Sequence, residues 1–336
     1  MSTKKIQIGK NSKMRSSRWE NTKLRSINNF MNKTYKNYIW IIAVVAVIGG
    51  GIILLSRGGD NTTSSSSSSN LYPEQAISHG HGLAVDVRDA NKLYIATHYG
   101  LMVLLNEKDL FRVGKNKDDY MGFSPHPTDP NILFSSGHPS YGGNIGFQKS
   151  EDGGFIWKKV SNGVNGPVDF HAMAVSPINP NLIYGWYQGN IQRSIDQGKN
   201  WEIVNRDLLP VYLAADSQDE NIVYAATPRG QGVMVSRDKG ASWSSLSPEL
   251  EGGAILVIAV HPQDAKILLT FSEKLGGLGK STNAGKTWNK IAEGFDGETI
   301  LHTAFNRNSP NIVYALTHEN KLYKSIDAGD TWVRIR

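Results

Sequence analysis

From residue 78 to the C-terminus, short apolar runs alternate with polar turns, and the alternation recurs at a regular interval. Each unit opens on an apolar run, such as HGLAV at His81, and continues through a turn rich in Pro, Asp and Asn. A second run rich in β-branched and aromatic residues follows, as in LIYGWY at Leu182. Short runs of this kind, bounded by turn residues, are typical of β-strands. The pattern therefore predicts an all-β protein built from repeated strand pairs.

A second phrase follows each of these strand pairs, and five copies of it are clear. They are SEDGGFIW at Ser150, SIDQGKNW at Ser194, SRDKGASW at Ser236, STNAGKTW at Ser281 and SIDAGDTW at Ser325, spaced by 44, 42, 45 and 44 residues. A sixth stretch, NEKDLFRV at Asn106, lies one interval earlier and lacks the Gly and the Trp. We interpret it as a divergent first copy, which gives six repeats.

Each repeat has room for four strands, because a third strand leads into the phrase and a fourth follows its Trp. Four short strands in every 42–45 residues are typical of a β-propeller blade. Residues 78–336 are thus predicted to form a six-bladed β-propeller. Within the phrase we expect Asp196 to accept backbone hydrogen bonds, Gly198 to adopt positive φ, and Trp201 and Trp332 to be buried. These are structural tasks, so we expect the repeated Asp to be scaffolding and not catalytic.

The first 57 residues have a different character. Residues 1–37 hold ten Lys or Arg and one acidic residue, and twenty uncharged residues lie between Lys36 and Arg57. The apolar stretch 38–55 is long enough, at about 1.5 Å per residue, to cross the roughly 30 Å hydrocarbon core of a bilayer. It predicts a transmembrane helix with a basic cytoplasmic tail at 1–37 and an extracytoplasmic C-terminal part. A cleaved signal peptide and a buried core helix are the alternatives.

Residues 56–77 begin with a Gly- and Ser-rich tract, which predicts a flexible linker between the membrane helix and the propeller. The chain has no Cys, so the exported domain contains no disulfide. The net charge of +6 comes from the N-terminal tail, because residues 58–336 hold 25 basic and 29 acidic residues, which gives 25 − 29 = −4. This acidic balance argues against nucleic acid as a partner.

The repeated phrase resembles the Asp-box, or bacterial neuraminidase repeat, S-x-D-x-G-x-[ST]-W. That motif occurs in sialidases, xyloglucanases, sortilin-type receptors and photosystem II assembly factors, all of which are propellers. In overall layout the chain is similar to membrane-anchored bacterial propellers described as glycosyl hydrolases. Since these proteins share a fold and not an activity, the resemblance implies the propeller and leaves the function open.

Histidines gather on one side of the predicted propeller. The turns that join second to third strands, and one blade to the next, form the face opposite the repeated phrase, which we call the top face. Seven of the nine histidines map to it: His79, His81, His98, His138, His171, His302 and His318. Because imidazole is the commonest metal ligand, they predict a site for Cu or Zn. We expect His81, His98 and His171 to form its core, with His79 and His302 beside them. The alternative is that they are ordinary polar residues of rim loops.

The sequence argues against a sialidase, which needs three arginines for its substrate carboxylate, because only Arg206 and Arg229 map to the top face. A general glycosidase needs two carboxyl groups about 5–10 Å apart. The sequence spacing selects no such pair, so it leaves catalytic activity undecided. The candidate carboxylates on the top face are Asp118, Asp119, Asp169, Asp207, Glu273, Asp296, Glu298 and Glu319.

Three functional interpretations follow from the sequence. The first is a membrane-tethered extracytoplasmic binding or assembly module, metal-dependent through the top-face histidines, with a protein or carbohydrate ligand. The second is a cell-surface glycoside hydrolase, or a carbohydrate-binding protein descended from one. The third is a purely structural or receptor-like propeller.

Overall fold

The described part of the chain forms six antiparallel sheets, each made from strands that follow one another in sequence. The structure is a computed structural model and describes residues 70–292 and 295–336. The strands of blades 1 and 2 are β1 (Leu71–Pro73), β2 (Gly80–Val85), β3 (Lys92–Thr97), β4 (Gly100–Leu105), β5 (Asp109–Val113), β6 (Asp119–Pro125), β7 (Leu133–His138), β8 (Phe147–Ser150) and β9 (Trp157–Ser161). Those of blades 3 and 4 are β10 (Ala172–Val175), β11 (Ile183–Tyr187), β12 (Asn190–Ser194), β13 (Glu202–Asn205), β14 (Tyr212–Ala215), β15 (Val223–Ala226), β16 (Val233–Ser236) and β17 (Ser244–Ser245). Those of blades 5 and 6 are β18 (Ile255–Val260), β19 (Leu268–Ser272), β20 (Gly277–Ser281), β21 (Asn289–Ala292), β22 (Ile300–Phe305), β23 (Val313–Thr317), β24 (Leu322–Ser325) and β25 (Val333–Arg334), and a short 3-10 helix, Pro248–Leu250, precedes blade 5.

The blades close into a ring around a central axis. Their first strands contact one another in the order β2, β6, β10, β14, β18 and β22, and β22 in turn contacts β2. Successive strands within each blade then run outward, as in the order β10-β11-β12-β13. The prediction of an all-β, six-bladed propeller is therefore confirmed.

Blade 1 carries one strand more than the sequence predicts. β1 pairs with β5 at the outer edge of the blade, with Leu71 opposite Val113 and Tyr72 opposite Arg112. The guanidinium of Arg112 lies 4.8 Å from the centre of the Tyr72 ring, and Leu71 packs against the apolar cluster between blades 1 and 2. Leu71–Pro73, which the sequence places in the linker 56–77, thus forms part of the sheet of blade 1.

The repeated phrase forms a tight turn between the third and fourth strands, which we call the Ser-Asp turn. In blade 3, Ser194 Oγ donates to Asp196 Oδ1 at 2.8 Å and accepts from the Gly198 N–H at 2.8 Å. Asp196 Oδ1 also accepts from the Asn200 N–H at 2.9 Å, and Trp201 Nε1 donates to the Gly198 carbonyl at 2.9 Å. Gly198 has φ +81° and lies against Phe147, so that a Cβ there would be 2.0 Å from the ring.

Blade 5 shows that this turn needs no negative charge. Asn283 stands where the other four clear copies have Asp, and its Oδ1 accepts from Ser281 Oγ at 2.9 Å and from the Thr287 N–H at 3.0 Å. An amide oxygen therefore satisfies the same backbone groups as a carboxylate. The Ser-Asp turn is a folding device, in agreement with the scaffold role expected from the sequence.

The tryptophans of the phrase are less buried than expected. Trp288 is 4% exposed, whereas Trp201 and Trp332 are only half-buried. Trp201 still packs against the rings of Phe147 and Phe170, with centroid distances of 5.1 and 4.9 Å. The fourth strand is the outermost one, so its Trp is covered only where a neighbouring segment reaches it.

A cavity of about 220 Å³ lies along the axis and is lined by the inner strands of all six blades. At its lower end Arg307 spans the ring, donating to the carbonyl of Pro127 at 2.8 Å and to that of Pro177 at 3.3 Å. Burial lowers the pKa of this guanidinium. Arg307 thus ties blade 6 to blades 2 and 3 on the side opposite the top-face histidines.

The predicted cytoplasmic tail, 1–37, and the predicted transmembrane helix, 38–55, lie outside the described residues. Within the residues that the structure describes, none of the helices has the length and apolar character needed to span a bilayer.

Candidate metal centre at the channel mouth

His79, His81 and His98 come from the two innermost strands of blade 1. His79 precedes β2, His81 is the second residue of β2, and His98 directly follows β3. The two strands are antiparallel, with Gly80 opposite Thr97, and the His98 N–H donates to the His79 carbonyl at 3.2 Å. This pairing brings the start of one strand beside the end of the next, at the top of the channel.

A β-bulge sets the direction of His81. The register of β2 against β3 shifts between Gly80 and Gly82, and the extra residue is His81. Bulges of this kind re-aim a side chain relative to a regular strand. A Cβ on Gly80 would lie 2.4 Å from Leu316 Cδ2, so blade 6 leaves no room for a side chain there. The HGHG phrase thus combines a glycine that packs closely against blade 6 with two histidines, His79 and His81, that both lie beside His98.

The three imidazoles form a compact group, which we call the three-histidine cluster (His79, His81 and His98). The ring centroids of His81 and His98 are 4.1 Å apart. The ring centroid of His79 lies 5.0 Å from that of His81 and 5.1 Å from that of His98. One nitrogen from each ring lies within 4.8 Å of the others. This spacing suits three ligands converging on one metal ion.

Blade 2 supplies two further side chains to this cluster, Asp119 and Met121, which lie two residues apart in β6 and point to the same side. Asp119 Oδ2 is hydrogen-bonded to His98 Nδ1, and Asp119 Oδ1 lies 3.9 Å from His81 Nδ1. The thioether sulfur of Met121 contacts His81 Nδ1. A carboxylate on Nδ1 fixes the tautomer of His98 and leaves its Nε2 lone pair available to a metal.

The environment keeps two members of the cluster neutral. Burial lowers the pKa of His81 well below its usual value, and the neighbouring His98 and His79 lower it further. Burial and His98 also lower the pKa of His79, although Asp119 opposes this. The Nε2 of His81 is buried and has no hydrogen-bond partner among the described residues. Neutral imidazoles with a free lone pair are the form that binds metals.

A second group contains His138, Asp169 and His171, whose ligand atoms also lie within 4.8 Å of one another. Asp169 Oδ2 accepts a hydrogen bond from His171 Nε2 at 2.9 Å and lies 3.1 Å from His138 Nε2. Burial lowers the pKa of His171, but the hydrogen bond and charge of Asp169, aided by Asp119, outweigh it and raise the pKa overall. The carboxylate thus favours the protonated form of His171, which cannot bind a metal, and this makes the group a weaker metal site.

The five predicted ligands are thus distributed over three places. His79, His81 and His98 come together, whereas His171 belongs to the second group, across the junction of blades 2 and 3. The assignment of His171 to the metal site stays a prediction. From the sequence, Asp119 was a candidate only as a glycosidase carboxylate, and Met121 was not a candidate. The parallel phrases DYM at Asp119 and DFH at Asp169, each opening a blade, carry the signal that could have found them.

His302 lies apart from the cluster, at a bulged start of β22, with its ring centroid 6.0 Å from that of Tyr212. Burial lowers its pKa to about 4, partly opposed by a hydrogen bond with the Gly80 backbone. His318 is partly exposed and lies 3.1 Å from the Glu319 carboxylate. His302 therefore supports strand β2, which carries His81, and does not join the three imidazoles.

The low pKa of His302 predicts an acid-dependent loss of stability. The unfolded chain takes up a proton near pH 6.5 and the folded protein only near pH 4, so the free energy of unfolding decreases as the pH falls between these values. Between pH 7 and pH 4.5, metal-free wild type should lose about 2–3 kcal/mol more than His302→Asn, which has no such proton. Urea unfolding of both proteins at several pH values measures this difference. Parallel pH profiles would contradict it.

The carboxylates considered for glycosidase chemistry are mostly held by other side chains. Glu298 accepts from Thr317 Oγ1 at 2.5 Å and pairs with Lys321, and Asp296 accepts from the Tyr323 hydroxyl at 3.0 Å. By contrast, two aromatic rings of the top face, those of Tyr99 and Tyr141, are exposed by 63% and 93%. The face thus offers stacking surfaces more readily than an acid–base pair.

Comparison with known proteins places the fold in context. No family model matches the chain. The xyloglucanase Xgh74A of Acetivibrio thermocellus is 32% identical over 98 residues, a match that covers 22% of this chain and 11% of that protein. The chain therefore spans only a small part of this curated relative, which leaves the relative's activity as a matter for proposal.

Solved structures resemble the chain over most of its length. The GH74 enzyme of Niastella koreensis has a TM-score of 0.57 at 14% identity, covering 79% of this chain and 46% of the enzyme. YCF48 bound to D1 peptide has a TM-score of 0.51 at 17% identity, covering 79% of this chain and 85% of YCF48. A chain of a nidogen/laminin complex has a TM-score of 0.55 at 9% identity, covering 72% of this chain and 91% of that chain. These likenesses show the propeller fold alone.

Proposed function

We propose that this protein is a membrane-tethered, extracytoplasmic binding module whose channel mouth holds a transition-metal ion, copper or zinc. The observation that carries the proposal is the convergence of three imidazole nitrogens within 4.8 Å of one another. Two of these rings are kept neutral by burial, and one of them has an unpartnered Nε2. A buried polar atom without a partner in a native fold calls for an explanation, and a bound metal ion would provide one.

The tether is supported by the sequence. Ten basic residues precede the apolar stretch 38–55, and the propeller follows it with an acidic balance of charge. This asymmetry favours a cytoplasmic N-terminus and an exported propeller. Imidazole ligands without any cysteine also suit an oxidising compartment, because they bind copper or zinc without forming disulfides.

A role as a binding or assembly module is supported by the side-chain bonds that hold Asp296 and Glu298 and by one structural neighbour. That neighbour, YCF48, is a propeller bound to a peptide, and the match covers 79% of this chain and 85% of YCF48. We propose that the top face likewise receives a protein ligand, beside or through the bound metal.

The metal proposal is tested by calorimetric titration of the full-length protein in detergent, stripped of metal with a chelator. We expect one saturable site for Cu(II) or Zn(II) with a dissociation constant below about 10 μM, equivalent to about −7 kcal/mol. Binding should weaken below about pH 6.5, because ligating imidazoles must be deprotonated. Titrations that show no saturable binding of Cu(II), of Zn(II) or, under anaerobic conditions, of Cu(I) would overturn the proposal.

Carbohydrate binding is the second candidate, favoured by the exposed rings of Tyr99 and Tyr141 and by the partial likeness to a xyloglucanase. Exposed aromatic rings can stack against sugars. A glycan array probed with the wild type and with the double variant Tyr99→Ala, Tyr141→Ala separates the candidates. Glycan binding that the double variant loses would favour carbohydrate recognition over metal-dependent protein binding.

A further inference from the structure

Met121 differs from the other buried methionines of the propeller. Met102 and Met173 pack inside apolar clusters, as buried methionines usually do. Met121 is 6% exposed, belongs to none of the apolar clusters of the described residues, and turns its sulfur toward the ring of His81. Met121 thus places a buried thioether against one imidazole of the three-histidine cluster.

We propose that the metal bound at the three-histidine cluster is monovalent copper, Cu(I), and that Met121 Sδ is one of its ligands. This inference rests on the proposed function, since it names the ion that the same site takes. Soft thioether ligands select Cu(I), whereas imidazole alone suits both copper and zinc, and carboxylate or carbonyl oxygens suit harder ions. The ligand set is therefore two or three imidazoles with one thioether.

The charge of the site also favours a monovalent ion. Imidazoles bind metals in their neutral form and the thioether carries no charge, so the negative charge next to the cluster is the carboxylate of Asp119. One Cu(I) ion balances this single charge. A divalent ion would leave one net positive charge in a site where His81 is 6% exposed, and an unbalanced buried charge is costly.

Asp119 acts as a positioning residue in this arrangement. Its Oδ2 is bound to His98 Nδ1, which directs the other nitrogen of that ring away from the carboxylate. Carboxylate–imidazole pairs of this kind orient metal-binding histidines and raise their basicity. Because β6 carries both Asp119 and Met121, one strand of blade 2 supplies the orienting group and the soft ligand together.

The experiment compares the affinities of two ions in three forms of the full-length protein: wild type, Met121→Leu and Met102→Leu. Leucine nearly preserves the volume of methionine but cannot bind a metal, and Met102 is a buried methionine inside the apolar cluster between blades 6 and 1. Cu(I) affinity is measured anaerobically by competition with bicinchoninate, and Zn(II) affinity by competition with a chromophoric chelator. Thermal unfolding of each protein checks that it is folded.

We expect Met121→Leu to weaken Cu(I) binding by at least about 10-fold, equivalent to about 1.4 kcal/mol, and to change Zn(II) binding by less than about 3-fold. Met102→Leu should change neither affinity. X-ray absorption of the Cu(I)-loaded wild type should show a copper–sulfur distance that is lost in Met121→Leu. If the variant is unfolded, this absorption measurement on wild type alone decides whether sulfur is a ligand.

Two outcomes overturn the inference and differ from a failure of the proposed function. Equal Cu(I) affinity in wild type and Met121→Leu, or a copper spectrum without sulfur, would exclude Met121 as a ligand while leaving a metal-binding propeller. Absence of both Cu(I) and Zn(II) binding in wild type would overturn the proposed function and the inference with it.

Discussion

Replacing His81 with alanine is expected to weaken the binding of Cu(II) and Zn(II) by at least about 100-fold, which corresponds to about 2.7 kcal/mol of binding free energy. His81 is the most buried member of the three-histidine cluster, and its ring lies closest to another imidazole, 4.1 Å from His98. Its Nε2 has no partner among the described residues, and burial keeps the ring neutral. Its removal leaves two imidazoles for an ion that takes three or four protein ligands.

His318→Ala is the matched control for this prediction. His318 lies on the same face and pairs with Glu319, but it is outside the three-histidine cluster. Its removal should change the affinity by less than about 3-fold, or about 0.6 kcal/mol. Calorimetric titration of the three proteins at pH 7.5 provides the comparison. An unchanged affinity in folded His81→Ala would place the metal elsewhere, with the His138 group as the next candidate.

The repeat made the fold predictable, because six similar segments can bury their apolar strands only against one another. The same reasoning missed β1, since Leu71–Pro73 is short, stands outside the repeat and is recognised only by its pairing with β5. It also overestimated the burial of Trp201 and Trp332. Burial of an outer-strand Trp depends on the loop of the neighbouring blade, which the repeated phrase does not describe.

The position of the site was predictable to the level of a face and not of a contact. The regular order of strands within each blade placed seven histidines on the top face, because strand direction alone decides at which face each strand begins and ends. Their division into two groups depends on the bulge at His81 and on Asp119 and Asp169, which reach across blade junctions. Met121 was missed because a methionine in an apolar strand usually belongs to the core.

Polar side chains cap turns on the lower face of the propeller and gather at the channel mouth. On the lower face, Asp86 Oδ1 accepts from the N–H groups of Arg88 and Asp89, and His126 Nδ1 does the same for Thr128 and Asp129. On the top face, a nitrogen of His81 and one carboxylate oxygen each of Asp119 and Asp169 are buried without partners among the described residues. These atoms lie beside the histidines of the channel mouth, where unfilled bonding capacity suits a ligand.

The largest loss of stability is expected from Trp288→Ala, about 3–5 kcal/mol, the usual range for removal of a buried Trp. Trp288 is 4% exposed and packs in the apolar cluster between blades 4 and 5. The 3-10 helix Pro248–Leu250 covers it, and Glu249 Oε2 accepts from the Trp288 N–H at 3.1 Å. The covering segment therefore loses its packing surface along with the ring.

Trp243 is the matched control for Trp288, because it occupies the same place in the Ser-Asp turn of blade 4. Its Nε1 donates to the Gly240 carbonyl at 3.0 Å, just as Trp288 Nε1 donates to the Gly285 carbonyl at 3.1 Å, but its ring is only half-buried. Trp243→Ala should thus lose the same hydrogen bond and less apolar contact, at a cost of about 1–2 kcal/mol. Urea unfolding of both variants measures the difference. Equal losses would mean that the indole hydrogen bond, and not burial by the 3-10 helix, dominates the contribution of these tryptophans to stability.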